Sequence, residues 1–315
     1  MRERVLGIIS TTARKLLQSG FVAITALCIA TTSYAKSLSF TFDDGLNPAV
    51  TLEATEWNGR ILAQLKAANV QAMLFPTLRS TGLSEGLDLV RQWSDAGHDV
   101  GNHTASHHSL SAPDMNAEQF INDVQQAEKQ FRKMPTFKPM LRFPYLKEGE
   151  TKEKRDAIRE WMRSNGYRPA EVSIDASDWY YSTVYLKLRD QGDVRKLALL
   201  KKAYIDHLLD RASYYDALAW RVLHRSPAHV LLLHTNAINA AYLADVMDAF
   251  KQHGWNIIPP REAFEDSIYL MWPDVLPAGE SIVWSLAKGA GIKPLRYPAE
   301  DLVYEEPKLK SLGLL

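Results

Sequence analysis

The sequence predicts an α/β fold in which parallel strands are covered by helices. From Lys36 to about residue 260, short apolar runs alternate with amphipathic stretches, which is the pattern of repeated β-α units. Several of the apolar runs are followed directly by polar clusters, and β-α barrels carry their active sites at the carboxyl ends of the strands. The alternation alone fits either a barrel or a doubly wound sheet.

The strands are predicted where short apolar runs are bounded by polar or turn-forming residues. The first run follows Lys36, and the most apolar run directly precedes His234. The predicted strands are 38–42, 70–75, 99–101, 140–143, 172–174, 230–233 and 255–258.

The helices are predicted where apolar residues recur at intervals of three or four. The predicted helices are 61–68, 87–97, 120–131, 152–165, one long stretch over 190–224, and 241–250. The long stretch is a helical insertion into the repeated pattern. The segment 261–315 is rich in Pro and Gly and weakly periodic. We therefore predict that it is a C-terminal extension packed on the main domain, which covers 36–260.

Residues 1–35 have the pattern of a secretory signal. Four basic residues precede the apolar run Phe21–Ala30, and the small residues Ser33 and Ala35 occupy the −3 and −1 positions of a cleavage site. The apolar run is too short to span a bilayer comfortably. We therefore expect cleavage near Ala35, export to the periplasm or the medium, and no stable membrane anchor afterwards.

Cleavage at that position would change both the cysteine content and the charge of the chain. Cys28 is the only cysteine, so the mature protein would have no disulfide and would rely on its core for stability. Loss of four basic residues and Glu3 leaves 33 basic and 36 acidic side chains, a net charge of −3. This balance gives no electrostatic reason to bind nucleic acid or anionic lipid, and a neutral polymer or small molecule is the expected partner.

Two polar clusters near the start of the domain indicate metal chemistry. Asp43 and Asp44 follow the first predicted strand, where one carboxylate can bind a metal while its neighbour takes a proton from water. His103 and His107 are four residues apart, and one helical turn would let them share the ion. Taken singly, Asp-Asp-Gly is also an ordinary turn, and a histidine pair at this spacing also arises by chance.

Three further clusters follow later strands. They are Arg142–Tyr145, Asp175–Trp179 and Leu232–His234. Each has a structural alternative. Arg142 could form a surface ion pair, Trp179 could pack in the core, and His234 could be a satisfied histidine at the start of a helix. Five polar clusters after successive strands are nevertheless what a barrel-type active site requires.

In these motifs the chain resembles the polysaccharide deacetylases, the NodB-homology group also called carbohydrate esterase family four. The resemblance spans about residues 37–260. Its five motifs occur in the family order: Thr-Phe-Asp-Asp-Gly at 41–45, His-Thr-x-x-His at 103–107, Arg-x-Pro-Tyr at 142–145, Asp-x-x-x-Trp at 175–179 and Leu-x-His at 232–234. The resemblance implies a distorted, incomplete (β/α) barrel of about seven strands with a metal at its mouth.

The resemblance also implies roles for the residues of the first three motifs. Asp44, His103 and His107 would hold a divalent ion, preferably zinc, with cobalt, nickel or manganese as alternatives. Asp43 would be the general base that takes a proton from the attacking water. Arg142 would lie against Asp43 and keep it ionised and aimed.

The remaining motifs would supply the acid and the acetyl pocket. His234 would be the general acid that protonates the departing amine or alcohol, and Asp175 would orient it. The backbone N–H of Tyr145 would help to stabilise the oxyanion. Trp179 and Leu232 would form a small apolar pocket for an acetyl methyl group. The implied partner is an acetylated glycan, carrying either an N-acetyl amide or an O-acetyl ester.

Three other functions were weighed against deacetylation. Two histidines and a carboxylate also form the facial triad of non-haem iron oxygenases, but that chemistry needs neither Asp43 nor His234. A non-catalytic carbohydrate binder on the same scaffold would be expected to lose the base or a ligand. The same machinery acting on a formamide, a cyclic amide or another ester is the third alternative.

Overall fold

The computed structural model describes residues 36–296, residue 298 and residues 302–315. The predicted signal segment 1–35 therefore lies outside the described residues. The strands are β1 (Lys36–Asp44), β2 (Met73–Pro76), β3 (Asp99–Asn102), β4 (Phe137–Leu141), β5 (Lys147–Gly149), β6 (Arg168–Pro169), β7 (Ala228–His234), β8 (Trp255–Ile257) and β9 (Ala278–Gly279).

Within the described residues, seven of these strands form one sheet in which every pair is parallel. Its order is β6-β4-β3-β2-β1-β7, and β8 also pairs with the start of β1. The two remaining strands, β5 and β9, form a separate antiparallel pair. Because β1 pairs with β2 on one side and with β7 on the other, it is the central strand of the fold.

The sheet curls into an incomplete barrel through the segment 168–174. The start of this segment pairs with β4, whereas Ile174 forms a single parallel bridge to Leu231 of β7. The predicted α/β fold with about seven strands and an incomplete barrel is therefore confirmed. The predicted strand at 172–174 is wrong in extent: the segment lies beside β7 and forms one bridge, at Ile174, because the backbone N–H groups of Ser173 and Ile174 both donate to the same Val230 carbonyl, at 3.1 and 3.0 Å.

The helices are α1 (Ala54–Ala67), α2 (Leu78–Thr81), α3 (Glu85–Asp95), α4 (Ala117–Phe131), α5 (Lys152–Ser164), α6 (Asp178–Asp190), α7 (Val194–Leu223), α8 (Ala237–Gln252), α9 (Pro260–Ala263), α10 (Ile282–Gly289) and α11 (Leu302–Ser311). The predicted continuous helix over 190–224 is wrong at its start. Gly192 adopts a left-handed φ of 68° after α6, and the Asp193 side chain then caps α7 by accepting the N–H of Lys196 at 3.0 Å.

The central strand β1 separates an apolar face from a polar one. Its apolar residues Leu38, Phe40 and Phe42 are fully buried, and alternate side chains of a strand point to opposite faces. Phe40 packs edge-on against Phe250 of α8 at 6.0 Å between ring centroids. On the other face Thr41 donates its hydroxyl to the Leu231 carbonyl at 2.9 Å. The helices thus cover one face, and the polar positions of β1 point into the barrel.

The segment after Pro260 contacts the barrel along several elements. β9 pairs with β5, the N–H of Ile282 donates to the Val172 carbonyl at 2.8 Å, and the hydroxyl of Ser281 donates to the Ser173 carbonyl at 2.8 Å. These bonds hold the 172–174 segment beside β7. None of the helices in the described residues combines the length and hydrophobicity that crossing a bilayer requires.

Candidate active site

A cavity of about 700 Å³ opens at the carboxyl ends of β1 and β7. Nine of the ten site residues predicted from the sequence line it, and the tenth, Arg142, lies behind one of them. The nine are Asp43, Asp44, His103, His107, Tyr145, Asp175, Trp179, Leu232 and His234. The parallel sheet brings these residues together because the carboxyl ends of its strands lie at one edge.

Three of the lining residues form a cluster that can bind a metal ion. One ligand atom from each of Asp44, His103 and His107 lies within 4.8 Å of the other two. His103 Nδ1 is 2.8 Å from the carbonyl oxygen of Arg142, so this nitrogen carries the hydrogen and Nε2 is left for a ligand. His107 Nε2 lies 3.7 Å from Asp44 Oδ1.

The segment that carries the two histidines is a loop, and not the helical turn that the sequence analysis considered as a way for them to share an ion. Thr104 and His107 have left-handed φ angles of 70° and 56°. Side chains satisfy the loop's N–H groups: Asn102 accepts from Thr104 at 2.9 Å, and Thr104 accepts from His107 at 3.0 Å. The Asp123 carboxylate accepts both the backbone N–H and the hydroxyl of Ser106. These bonds over-determine a conformation that would otherwise be strained.

The donor set fits a divalent ion. Burial lowers the pKa of His103 to about 4. Burial, followed by the neighbouring His103, also lowers the pKa of His107 to about 4. Both rings are therefore neutral at pH 7, which is the form that binds metals. Two neutral imidazoles and one carboxylate leave room for further ligands, as catalytic rather than closed structural sites require.

Asp43 is held by a buried arginine. The Arg142 side chain is 1% exposed and donates from Nη1 to both carboxylate oxygens of Asp43, at 2.9 and 3.1 Å. Arg142 also donates to Thr41 Oγ1 at 3.1 Å and to the Ala170 carbonyl at 2.6 Å, and it stacks on Phe75. Burial raises the pKa of Asp43, although the Arg142 guanidinium opposes this shift. The carboxylate is therefore fixed in position and a stronger base than an exposed aspartate.

His234 is held by Asp178, a residue to which the sequence analysis gave no role; the role predicted for Asp175 stays a prediction. His234 Nδ1 donates to Asp178 Oδ1 at 2.7 Å, and the His234 backbone N–H donates to Oδ2 at 2.8 Å. Asp178 reaches His234 because it is the first residue of α6. Asp175 lines the cavity three residues earlier, and its carbonyl oxygen accepts from Arg211 at 3.0 Å.

The charge of His234 follows from this partner. Burial alone would lower the pKa of His234, but the Asp178 carboxylate, with smaller contributions from Asp44 and Asp43, raises it to about 10. The imidazole is therefore protonated at neutral pH. In the sheet, His234 is the register partner of Asp43 on the adjacent strand, so both side chains point to the same face.

Sequence reasoning missed the residues that hydrogen-bond to the Asp178 carboxylate and the residue that orients one of them. The side-chain amides of Asn236 and Asn239 each donate to Asp178 Oδ2 at 2.8 Å. Tyr204 of α7 donates its hydroxyl to Asn239 Oδ1 at 2.6 Å, which leaves the amide N–H₂ facing the carboxylate. The only sequence signal was the Asn-x-x-Asn spacing after His234, which also predicts the N-cap of α8.

An apolar wall lies beside these charged groups. Leu232 is 6% exposed and packs with Leu146 and Val172, and Trp179 is partly buried against the main core. Tyr145 is half exposed, and its ring lies 4.6 Å from that of His107. The backbone of Tyr145 is left-handed, with φ 58°. The cavity thus combines a polar floor with an apolar side.

Comparisons with known proteins agree on one family. Residues 30–170 match the family model described as polysaccharide deacetylase. A peptidoglycan-N-acetylglucosamine deacetylase of Bacillus cereus is 28% identical over 143 residues, which cover 45% of this chain and 46% of that protein. A chitooligosaccharide deacetylase of Rhizobium leguminosarum bv. trifolii is 30% identical over 145 residues, 46% of this chain and 60% of that protein. The chain thus spans about half the length of these curated relatives.

The fold is also shared with solved structures. A family 4 carbohydrate esterase of Bacillus subtilis, PdaA, superposes with a TM-score of 0.50 at 21% sequence identity, covering 74% of this chain and 82% of the other. At this identity the similarity establishes the fold alone. The match to the family model ends at residue 170, before the segment that carries Asp175, Asp178 and His234.

Proposed function

We propose that this chain, whose residues 30–170 match the polysaccharide deacetylase family model, is a metal-dependent hydrolase that removes acetyl groups from a carbohydrate polymer or oligomer. The observation that carries the proposal is the convergence of a fixed carboxylate, a protonated imidazole and a three-residue metal cluster on one cavity. Neither a sugar-binding surface nor an oxygenase requires a proton acceptor and a proton donor beside a metal cluster in one cavity.

Asp44, His103 and His107 would hold the ion, and zinc suits one carboxylate and two imidazoles best. When bound, the ion supplies a Lewis acid that polarises the acyl oxygen and acidifies water. Asp43 accepts the proton of the attacking water. Arg142 keeps Asp43 aimed through two hydrogen bonds from one nitrogen, so no side-chain rotation is needed before proton transfer.

His234 acts as the general acid for the departing group. Its Nδ1 is occupied by Asp178, so Nε2 is the nitrogen that gives its proton to the leaving amine or alcohol. With a pKa of about 10, the ring carries this proton throughout the neutral range. Asp178 stabilises the cation before transfer and keeps the ring directed during it.

The apolar wall selects the acyl group. Leu232 and Trp179 leave a small apolar surface for a methyl group, which fits acetyl better than a charged acyl chain. The names of the two curated relatives favour an N-acetylglucosamine-type amide. An O-acetyl ester needs the same base and acid, so we include it in the substrate class.

We expect the purified, zinc-loaded protein to release acetate from acetylated glycans. The assay is acetate release from peptidoglycan, chitooligosaccharides, acetylated xylan and an acetylated exopolysaccharide, with boiled protein as control. Release of acetate from one or more substrates supports the proposal, and release of formate from a formamide sugar alone would favour the alternative bond. Turnover of no substrate by a zinc-loaded, folded protein would refute the proposed function.

We further propose that the protein acts outside the cytoplasm after cleavage near Ala35. The basic, apolar and small-residue order of residues 1–35 supports this location. Fractionation of cells that express the full chain should recover a shortened protein in the periplasm or medium. Recovery of the uncleaved chain in the cytoplasm alone would contradict it.

Substitution of Asp178 is expected to move the alkaline limit of activity. In Asp178→Asn the carboxylate that raises the pKa of His234 is lost while burial still lowers it, so the pKa should fall from about 10 towards neutrality. Turnover should then be lost at lower pH than in the wild type, and kcat at pH 8 should drop about 10-fold, because most of the rings would have lost the proton that the leaving group needs. The measurement is kcat from pH 6 to 11.

Asp175→Asn is the matched control, because it removes a carboxylate from the same segment and leaves the hydrogen bonds between Asp178 and His234 in place. We expect its alkaline limit to stay close to that of the wild type. The opposite pattern, with a shift in Asp175→Asn and none in Asp178→Asn, would support the assignment of Asp175 made from the sequence.

A further inference from the structure

The start of α6 carries two site residues but lacks an N-cap of its own. Asp178 and Trp179 are the first two residues of the helix, and the preceding Ser177 makes no side-chain cap hydrogen bond. The first N–H groups of a helix have no partner within the helix, and the loss of a side-chain cap destabilises the helix start. Contacts from elsewhere in the chain must therefore hold this turn.

One such contact comes from His207 of α7. Its side chain is 5% exposed, and its Nε2 accepts the backbone N–H of Ser177 at 3.1 Å. The ring also stacks on Tyr181 of α6, with 4.9 Å between centroids and 30° between planes. Because Nε2 accepts, the hydrogen of the neutral ring is on Nδ1, which faces the Glu305 carboxylate at 3.4 Å.

A second contact comes from Arg211, one helical turn further along α7. Its Nε donates to the Asp175 carbonyl at 3.0 Å, and its Nη2 donates to the Tyr215 hydroxyl at 3.1 Å. Residues four apart lie on the same face of a helix. The buried face of α7 thus makes two hydrogen bonds to the main chain of 175–177, one from His207 and one from Arg211.

The third contact comes from Glu305 of the C-terminal helix α11. Its carboxylate accepts the Ser177 hydroxyl at 3.3 Å and the Tyr181 hydroxyl at 3.5 Å. Ser177 therefore donates its hydroxyl to Glu305 of α11. In a usual N-cap, the side-chain oxygen would instead accept an N–H from its own helix. Burial raises the pKa of Glu305, although Arg211 opposes the shift.

We propose that His207, Arg211 and Glu305 form a clamp that positions Asp178, and through it the imidazole of His234. The clamp residues lie in the long insertion and the C-terminal extension, both beyond the region 30–170 that matches the family model. The contacts described above join them to Asp175, Ser177, Tyr181 and Tyr215, so they act as positioning residues. The expected effect of the clamp on turnover rests on the proposed function. Its effect on the position of the His234 ring does not depend on that function.

The test compares His207→Phe with His207→Gln. Phenylalanine keeps a ring against Tyr181 but leaves the Ser177 N–H without an acceptor, whereas the glutamine amide oxygen can accept it. We expect kcat to fall about 10-fold in His207→Phe, since small misplacements of catalytic groups have effects of this order. His207→Gln should recover to within about 3-fold of the wild type. Zinc bound per chain should stay constant, because the ligands lie on β1 and the loop after β3.

A spectroscopic measurement makes the test independent of activity. The ring N–H that His234 donates to Asp178 should give a protected, downfield proton resonance in protein labelled with ¹⁵N-histidine, assigned by its loss in His234→Gln. We expect this resonance to weaken through solvent exchange in His207→Phe and to persist in His207→Gln. If the wild type shows the resonance but deacetylates nothing, the proposed function fails and the resonance still decides the clamp.

A folded His207→Phe that keeps both the resonance and wild-type kcat would overturn the clamp. Glu305→Gln replaces His207→Phe if the latter does not fold. The amide N–H₂ of the glutamine side chain cannot accept the hydrogen bonds that the Glu305 carboxylate accepts from the Tyr181 hydroxyl or His207 Nδ1–H. Glu305→Gln therefore weakens the clamp from α11. An unchanged resonance and unchanged kcat in folded Glu305→Gln would overturn the proposal equally.

Discussion

Asp43→Asn is expected to lower kcat about 10³-fold. The amide cannot accept the proton of water, yet it has the size of the carboxylate it replaces. Arg142 can still donate to the amide oxygen, to Thr41 and to the Ala170 carbonyl, so the geometry should survive. The measurement is kcat at saturating glycan with zinc in excess.

Metal binding separates the role of Asp43 from that of its neighbour. Asp43→Asn should bind one zinc per chain, because the three proposed ligands are intact. Asp44→Asn is the matched variant one residue away, and it should lose most of its zinc. Asp43→Asn will also be less stable than the wild type, because the buried Arg142 loses its counter-charge. Its activity must therefore be measured well below its unfolding temperature. Wild-type turnover in zinc-loaded Asp43→Asn would rule out the assigned base.

Removal of the metal is expected to abolish turnover, and one equivalent of zinc is expected to restore it. The fold should persist without the ion, because His103 is fixed by the Arg142 carbonyl and the 103–107 loop by Asn102 and Asp123. The measurement is acetate release after dialysis against a chelator, followed by titration with zinc, cobalt, nickel and manganese. An apo protein that retains full activity would refute the metal mechanism.

Thermal unfolding gives a second readout of the same site. An ion that binds only the folded protein stabilises it by RT ln(1 + [L]/Kd), about 2.7 kcal/mol at one hundred times Kd. Zinc should therefore raise the Tm of the wild type and leave that of His103→Ala nearly unchanged. An equal rise in both proteins would place the bound zinc elsewhere.

The parallel sheet, and the residues that line the cavity, could be predicted from the sequence because both depend on local patterns. Buried strands of a parallel sheet appear as short apolar runs, and polar residues directly after them must meet at one edge. Asp43, Arg142 and His234 were found in this way. Their contacts across the site follow from the barrel itself, which fixes the strand order.

The errors arose where local pattern and tertiary contact disagree. The i,i+4 spacing of His103 and His107 suggested a helical turn, but side-chain hydrogen bonds from Asn102 and Thr104 stabilise a left-handed loop instead. Asp175 is the motif position and Asp178 is not, yet the start of α6 places Asp178 within hydrogen-bond distance of His234. Tyr204 contacts the site from a distant helix, which no spacing in the sequence reveals.

The pairing of Asp43 with His234 across β1 and β7 has a consequence for how such a site can diversify. Adjacent strands are held about 4.8 Å apart by their backbone hydrogen bonds, so the distance between the proton acceptor and the proton donor is set by the main chain. Loops around the rim can lengthen, shorten or change composition without altering that distance. New glycans can thus be accommodated by remodelling the rim while the spacing of the two proton-transfer groups stays constant.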